Sequence, residues 1–212
     1  MADEPRLGYD PEHPIRLYCD GVFDLFHFGH ARMLEQCKKK FPYVYLVVGV
    51  TGDEDTIKYK GKVIMNEYER SETVKHCKWA DEVICPSPWV TTVEFLDKHN
   101  IRYICHDAIP YTQGSDETGD CYYEVKQAGR FLATDRTDGV STSDLVLRII
   151  KDYDDYVVRN LSRGYTPEQL GLKHWKSNVV LLRQGWEKIK ECKKPAQKQP
   201  ESQEGAEEAK LN

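Results

Sequence analysis

Two short runs rich in β-branched and aromatic residues, 15–19 (IRLYC) and 43–50 (YVYLVVGV), flank a stretch from about 29 to 40 with helical character. Strand, helix and a second near-continuous apolar strand make a β-α-β unit. This unit constrains the fold more than any other feature, because strands that are apolar throughout must be covered by helices on both faces. The alternation continues with helical stretches at 67–78 and 91–99 and strand-like runs at 81–84 (DEVI) and 101–105 (IRYIC). The fold class expected is therefore α/β: a Rossmann-like, doubly wound parallel sheet with a C-terminal helical extension. Ligands in such folds bind at the carboxyl ends of the strands.

The rest of the 212 residues divides around that sheet. Residues 1–14 read as a flexible N-terminus and 15–172 as the catalytic-size domain. Within it, 106–120 (HDAIPYTQGSDETGD) is too long and too rich in turn formers for an ordinary connection, so a binding loop and a solvated insertion are the alternatives. Helical spacing returns at 141–158 through Leu145, Ile149, Tyr153 and Tyr156 and is followed by a turn-like RNLSRGYTPEQLGL. At 173–194, Trp175, Val179, Leu182, Trp186 and Ile189 alternate at intervals of four and three, which predicts an amphipathic helix. The last stretch, 195–212, has almost no apolar residues and is expected to be disordered.

A net charge of −5 offers no general basic field for nucleic acid, so a small-molecule ligand is favoured over a polymer. No apolar leader opens the chain and no run of 18 apolar residues occurs, so a cytoplasmic location is expected, with peripheral-membrane or nuclear residence as alternatives. Seven scattered cysteines without a C-x-x-C pair read as reduced core thiols.

Chemistry concentrates where the first strand should hand over to the first helix, in Asp20-Gly21-Val22-Phe23-Asp24-Leu25-Phe26-His27-Phe28-Gly29-His30. Two histidines three apart at a helix start share one face, and the helix end offers free N–H groups to anionic oxygens. Gly21 allows close approach of backbone to ligand, and Gly29 lets a phosphate or nucleoside sit against the helix. An HxxH pair alone is also compatible with a zinc pair or with two incidental surface histidines.

The string DGVFDLFHFGH resembles the nucleotide-binding signature of the cytidylyltransferases, within the HxGH nucleotidyltransferase superfamily. Further matches are Lys60-Gly61 in YKGKVIMNEYER, Trp89 in SPWVTTVEFL, HDAIPY at 106–111, RTDGVSTSD at 136–144 and RNLSRGYT at 159–166. They span about residues 15–172 in the order expected of the choline-phosphate cytidylyltransferases. The resemblance implies CTP and phosphocholine as substrates, with Mg²⁺ accompanying the triphosphate and no protein ligand for it named. It implies that His27 and His30 bond the α- and β-phosphate region, that Lys60 sits between the substrates, and that Arg136 clamps phosphate oxygens. Val22, Phe23, Asp24, Thr137, Gly139, Ser141 and Thr142 join Gly21 and Gly29 on the CTP side, Ser141 and Thr142 through hydroxyl and backbone donors. Trp89, Asp107, Tyr111 and Tyr122 match the family's choline pocket, in which aromatic faces and a carboxylate hold the quaternary ammonium.

Taken singly, Lys60 also reads as a solvated lysine, Arg136 as an ion-pair partner and the aromatics as core. The rival substrates are phosphoethanolamine and glycerol phosphate. A rival of another class is a catalytically silent nucleotide-binding or lipid-sensing subunit. A homodimer is implied by the resemblance, and the helix at 173–194 packs on protein or makes reversible contact with anionic membranes.

Overall fold

The computed structural model describes residues 7–109, 120–172 and Leu182. The expected helix at 173–194 (Leu182 apart), the tail at 195–212 and Tyr111 lie outside the described residues. The elements run β1 (Ile15–Gly21), α1 (Phe28–Lys38), β2 (Val44–Thr51), α2 (Asp53–Tyr59), α3 (Glu67–Lys75), β3 (Glu82–Ser87), α4 (Val93–Lys98), β4 (Tyr103–Asp107), α5 (Tyr123–Gln127), β5 (Phe131–Thr134), α6 (Thr142–Lys151) and α7 (Tyr153–Ser162).

The five strands order as β3-β2-β1-β4-β5, all parallel. The chain winds outward from β1 through β2 to β3, then returns to the other side for β4 and β5. That reversal opens a crevice between the carboxyl ends of β1 and β4, where Asp20, Gly21, His106 and Asp107 stand. The period of two sorts β1 and β2 onto two faces. Leu17, Cys19, Leu46, Val48 and Val50 join Leu34 and Cys37 of α1 in one core layer, whereas Tyr18 and Val47 join Leu96, Ile104 and Val125 in the other. Burial on both faces is what the near-continuous apolar runs require. Gly49 has a packing reason: a Cβ there would lie 1.9 Å from the Tyr18 hydroxyl oxygen, so β2 can carry no side chain where that ring crosses it.

The chain divides into two compact units, Met1–Arg148 and Ile149–Asn212, with the boundary inside α6. In the second, Val157 and Leu172 are buried among Tyr153, Val158, Leu161 and Leu170. The helix expected over 141–158 is two helices separated at Asp152, and α7 continues to Ser162, into the stretch expected to be a turn. Residues 7–14, expected to be flexible, form a turn in which Gly8 donates to the His13 carbonyl and accepts from the Tyr43 N–H. No disulfide joins the six described cysteines. Among the described residues, no helix is long and apolar enough to cross a membrane.

Candidate active site

A cavity of about 450 Å³ opens at the carboxyl ends of β1, β4 and β5. Gly21, Val22, Phe23, Asp24, His27, Gly29, His30, Lys60, Asp107, Arg136, Thr137, Ser141 and Thr142 all line it. Residues as far apart in the chain as Gly21 and Thr142 are thus brought to one cleft. Gly139, with φ +75°, is not among the lining residues, although its neighbour Val140 is.

The loop from β1 to α1 is strained and braced. Phe23 and Leu25 hold φ of +56° and +46°, a region that costs a residue with a side chain about 1–3 kcal/mol. The Asp24 carboxylate, 7% exposed, accepts the N–H groups of Leu25, Ile64 and Met65 at 3.1, 2.8 and 2.9 Å. Three bonds to a carboxylate, each about 1.5–3 kcal/mol, are enough to offset two such residues. They also tie the segment after Lys60 to the histidine loop. Asp24, expected on the CTP side, lines the cavity, and its carboxylate is engaged by backbone N–H groups, so it also holds two walls of the cleft together. Arg70 does the same from below. Fully buried, it donates to the carbonyls of Met65 and Val22 at 3.1 and 2.6 Å and to the Asp53 carboxylate at 2.7 Å.

His27 caps α1. Its Nδ1 accepts from the Gly29 N–H at 3.1 Å, while its own N–H donates to His30 Nδ1 at 3.3 Å. Both δ-nitrogens are therefore acceptors, which leaves the proton of each neutral ring on Nε2 as a free-standing donor. The rings stack at 3.8 Å. Burial, the neighbouring His27 and the Lys60 charge push His30 down to about 3, with Asp24 pulling the other way. Burial also lowers His27. The site presents two neutral imidazoles side by side at a helix N-terminus, an arrangement that suits oxygen anions. Gly29 serves packing: a Cβ there would lie 2.9 Å from both the His27 ring and Val140 Cγ1, so glycine lets the loop before α6 close onto α1.

Lys60 ends α2, its N–H on the Thr56 carbonyl at 2.9 Å. Desolvation and the Arg136 charge lower its pKa, while Asp107 and Asp24 raise it. A polyanion between Lys60 and Arg136 would reverse the repulsion. Arg136, its side chain 60% exposed, places Nε 3.9 Å from Asp107 Oδ2. The Ser141 hydroxyl donates to the Asp144 carboxylate and accepts the Asp144 N–H, and the Thr142 hydroxyl donates to the Asp24 carbonyl at 3.0 Å. These hydroxyls are engaged as cap and brace, so the donors α6 offers the cleft are its first-turn N–H groups.

The aromatic residues are placed differently. Trp89 packs on Tyr59, ring centroids 5.3 Å apart, beside Lys60 in the chain, and does not line the cavity. Tyr122 is buried, its ring 4.9 Å from His106 and 5.9 Å from Phe131. Its hydroxyl donates to the Asp20 carboxylate at 2.8 Å, which also accepts from the Thr91 hydroxyl at 3.0 Å. Burial raises the Asp20 pKa, partly offset by His106 and these two hydrogen bonds. Asp20 lines the cavity. It stands inside the singled-out string but was given no role, because only the fold brings Tyr122 and Thr91 to it. Lys62 and His106, which stand inside the matched strings YKGKVIMNEYER and HDAIPY without an assigned role, also line the cavity.

Among the described residues, no group of three histidine, cysteine or acidic side chains is arranged to hold a metal ion.

Residues 18–148 match the model of the cytidylyltransferase-like family. The chain is 54% identical over 183 residues to choline-phosphate cytidylyltransferase 2 of Arabidopsis thaliana, covering 85% of this chain and 60% of that protein. It is 48% identical over 189 residues to choline-phosphate cytidylyltransferase A of Homo sapiens, covering 89% and 51%. To ethanolamine-phosphate cytidylyltransferase of Mus musculus it is 43% identical over 148 residues, covering 68% and 34%. The chain spans about half the length of the curated relatives it matches. With a family match over most of the sheet and the site residues within the matched span, the chain belongs to the cytidylyltransferase-like family.

Proposed function

We propose that this chain transfers the cytidylyl group of CTP to phosphocholine, giving CDP-choline and pyrophosphate. The observation that carries the reading is the pair of stacked, neutral imidazoles with donor Nε2 atoms, set with Lys60 and Arg136 around one cleft at the sheet's switch point. A phosphocholine oxygen attacks the α-phosphorus of CTP, the new P–O bond forms as the bond to the β-phosphate oxygen breaks, and pyrophosphate leaves with the electron pair. Such a transfer asks the protein chiefly for in-line positioning and for donors aimed at developing negative charge. His27 and His30 supply neutral donors, and Lys60 and Arg136 supply charge. Magnesium bound by triphosphate oxygens would neutralise part of that charge. Among the described residues no acidic cluster is arranged to hold the ion and the Asp24 carboxylate is engaged by backbone N–H groups, so magnesium would arrive with the triphosphate and would keep water and phosphate ligands.

The choice of phosphocholine is supported by the choline enzymes among the relatives, which are more similar over more of the chain than the ethanolamine enzyme. Asp20, a buried carboxylate at the cleft, gives a quaternary ammonium its counter-charge. Asp107, the carboxylate matched to the choline pocket, lines the same cavity 3.9 Å from Arg136, and Asp20 joins it on the alcohol side. Trp89, Tyr111 and Tyr122 remain the aromatic residues proposed for the alcohol side. Homodimerisation and reversible membrane contact through 173–194 belong to the same proposal.

Pyrophosphate release with CTP and phosphocholine, phosphoethanolamine or glycerol 3-phosphate tests it. Phosphocholine should lead in kcat/KM by at least about tenfold, the ratio that 1.4 kcal/mol of differential binding gives. Equal rates with phosphoethanolamine would refute the choline assignment, and CTP binding without turnover would point to a silent subunit.

A further inference from the structure

Arg136 stands on an exposed loop, so something other than burial must fix it. The ladder between β4 and β5 ends where Asp107 pairs with Thr134. The next residue, Asp135, is clasped by a side chain of α1. Its N–H donates to Gln36 Oε1 at 2.9 Å, and Gln36 Nε2 donates to its carbonyl oxygen at 2.9 Å. A carboxamide carries a donor and an acceptor in one plane, so Gln36 continues the β5 ladder by one residue as a strand neighbour would. Lys40 adds a bond to the Ala133 carbonyl at 2.7 Å, and at the far end of the loop Thr142 is bonded to the Asp24 carbonyl.

We propose that Gln36 is a positioning residue for nucleotide binding, which by clasping Asp135 sets the Arg136 guanidinium against the imidazoles carried by the same helix. Helix α1 acts as a common ruler: His27 caps its start, and Gln36 lies nine residues on, roughly 13 Å of helical rise. One hydrogen bond would let the loop swing about it. Two bonds to the N–H and C=O of a single residue fix its rotation as well, leaving only the dihedrals between Asp135 and Arg136 free. Without the clasp, binding of the triphosphate would have to order the loop, and that ordering cost weakens affinity. Gln36 is given no contact with substrate in this scheme.

The inference rests on the reading of Arg136 as a triphosphate contact, and the experiment separates the two. CTP affinity of the full chain is measured by titration calorimetry, which does not require the acceptor alcohol to be known. Gln36→Met keeps side-chain length and helix propensity while removing both bonds, and Gln36→Glu keeps the acceptor alone. Gln36→Met should weaken CTP by about tenfold and Gln36→Glu by less. If Gln36→Met fails to fold, Gln36→Glu carries the test. In an Arg136→Ala background the Gln36 change should have no further effect, because its influence runs through the guanidinium. A Gln36 effect that persists undiminished in that background, or no effect in the parent, overturns the positioning role while leaving Arg136 as a phosphate contact if Arg136→Ala alone weakens CTP. Arg136→Ala without effect, or a parent chain without CTP affinity, overturns the phosphate reading and the inference together.

Discussion

At the phosphate end of the cleft, His27, His30, Lys60 and Arg136 point their polar groups at open space and are held from behind by backbone, through caps, Asp24 and Arg70. At the Asp20 end the side chains are themselves buried and hold one another, the hydroxyls of Tyr122 and Thr91 donating to the Asp20 carboxylate. The difference follows from the ligands proposed for each end. A triphosphate brings many acceptors and is met by exposed donors on rigid mounts. A quaternary ammonium has no hydrogen to donate and is met by low-dielectric surroundings, in which a carboxylate and ring faces act strongly.

The sharpest way to break this contrast is to remove the charge at the phosphate end. Lys60→Ala should lower kcat/KM by on the order of a hundredfold or more with circular dichroism unchanged, since the role proposed for the side chain is on the reacting phosphate and not in the core. Near-normal turnover would mean that the cleft has been misread.

A smaller effect tests the other end. Tyr122→Phe keeps the ring and deletes only the hydroxyl on Asp20, so the KM for phosphocholine should rise roughly tenfold, the lower end of the cost of one lost bond to a carboxylate, with the KM for CTP unmoved. Were Tyr122 packing alone, neither constant would change. Asp20→Asn should give a larger rise of the same kind, and an equal rise for CTP would erase the distinction between the two ends.

The smallest effect concerns acid. His30 in the folded chain titrates at about 3, below the roughly 6.5 of an unfolded histidine. As pH falls below 6.5 the unfolded chain takes up the proton first, so stability declines from there toward pH 3 and is unaffected above 7. Tm measured from pH 7 to 5 should fall less steeply in His30→Gln than in the parent. Identical slopes would place the His30 pKa near the ordinary value.

How far the sequence exposes each end follows the same division. The strands β1 and β2 and helix α1 are legible because their apolar runs are long and continuous, and the histidine loop because its residues are contiguous. Helix α2 was not foreseen: in DEDTIKY only Thr56 is buried, so no apolar stripe betrays it. The edge strand β5 has four residues and one fully buried position, too little for a period. The stretch 141–158 reads as one helix because its apolar spacing runs straight through Asp152, where the backbone breaks. Arg70, Gln36 and the partners of Asp20 were out of reach for another reason. Each works across tens of residues, and a buried arginine or a side-chain clasp leaves no local pattern.

Asp24 makes a practical point for anyone reading activity data on this chain. Its carboxylate joins the histidine loop to the segment after Lys60, and its carbonyl receives Thr142 from the start of α6, so three walls of the cleft meet on one residue. A saturation screen scored by turnover alone would rank Asp24 beside Lys60 and invite the label of catalyst. Scored a second time by protein abundance, the two would part company: Lys60 substitutions would yield folded, silent protein, and Asp24 substitutions would deplete the protein itself.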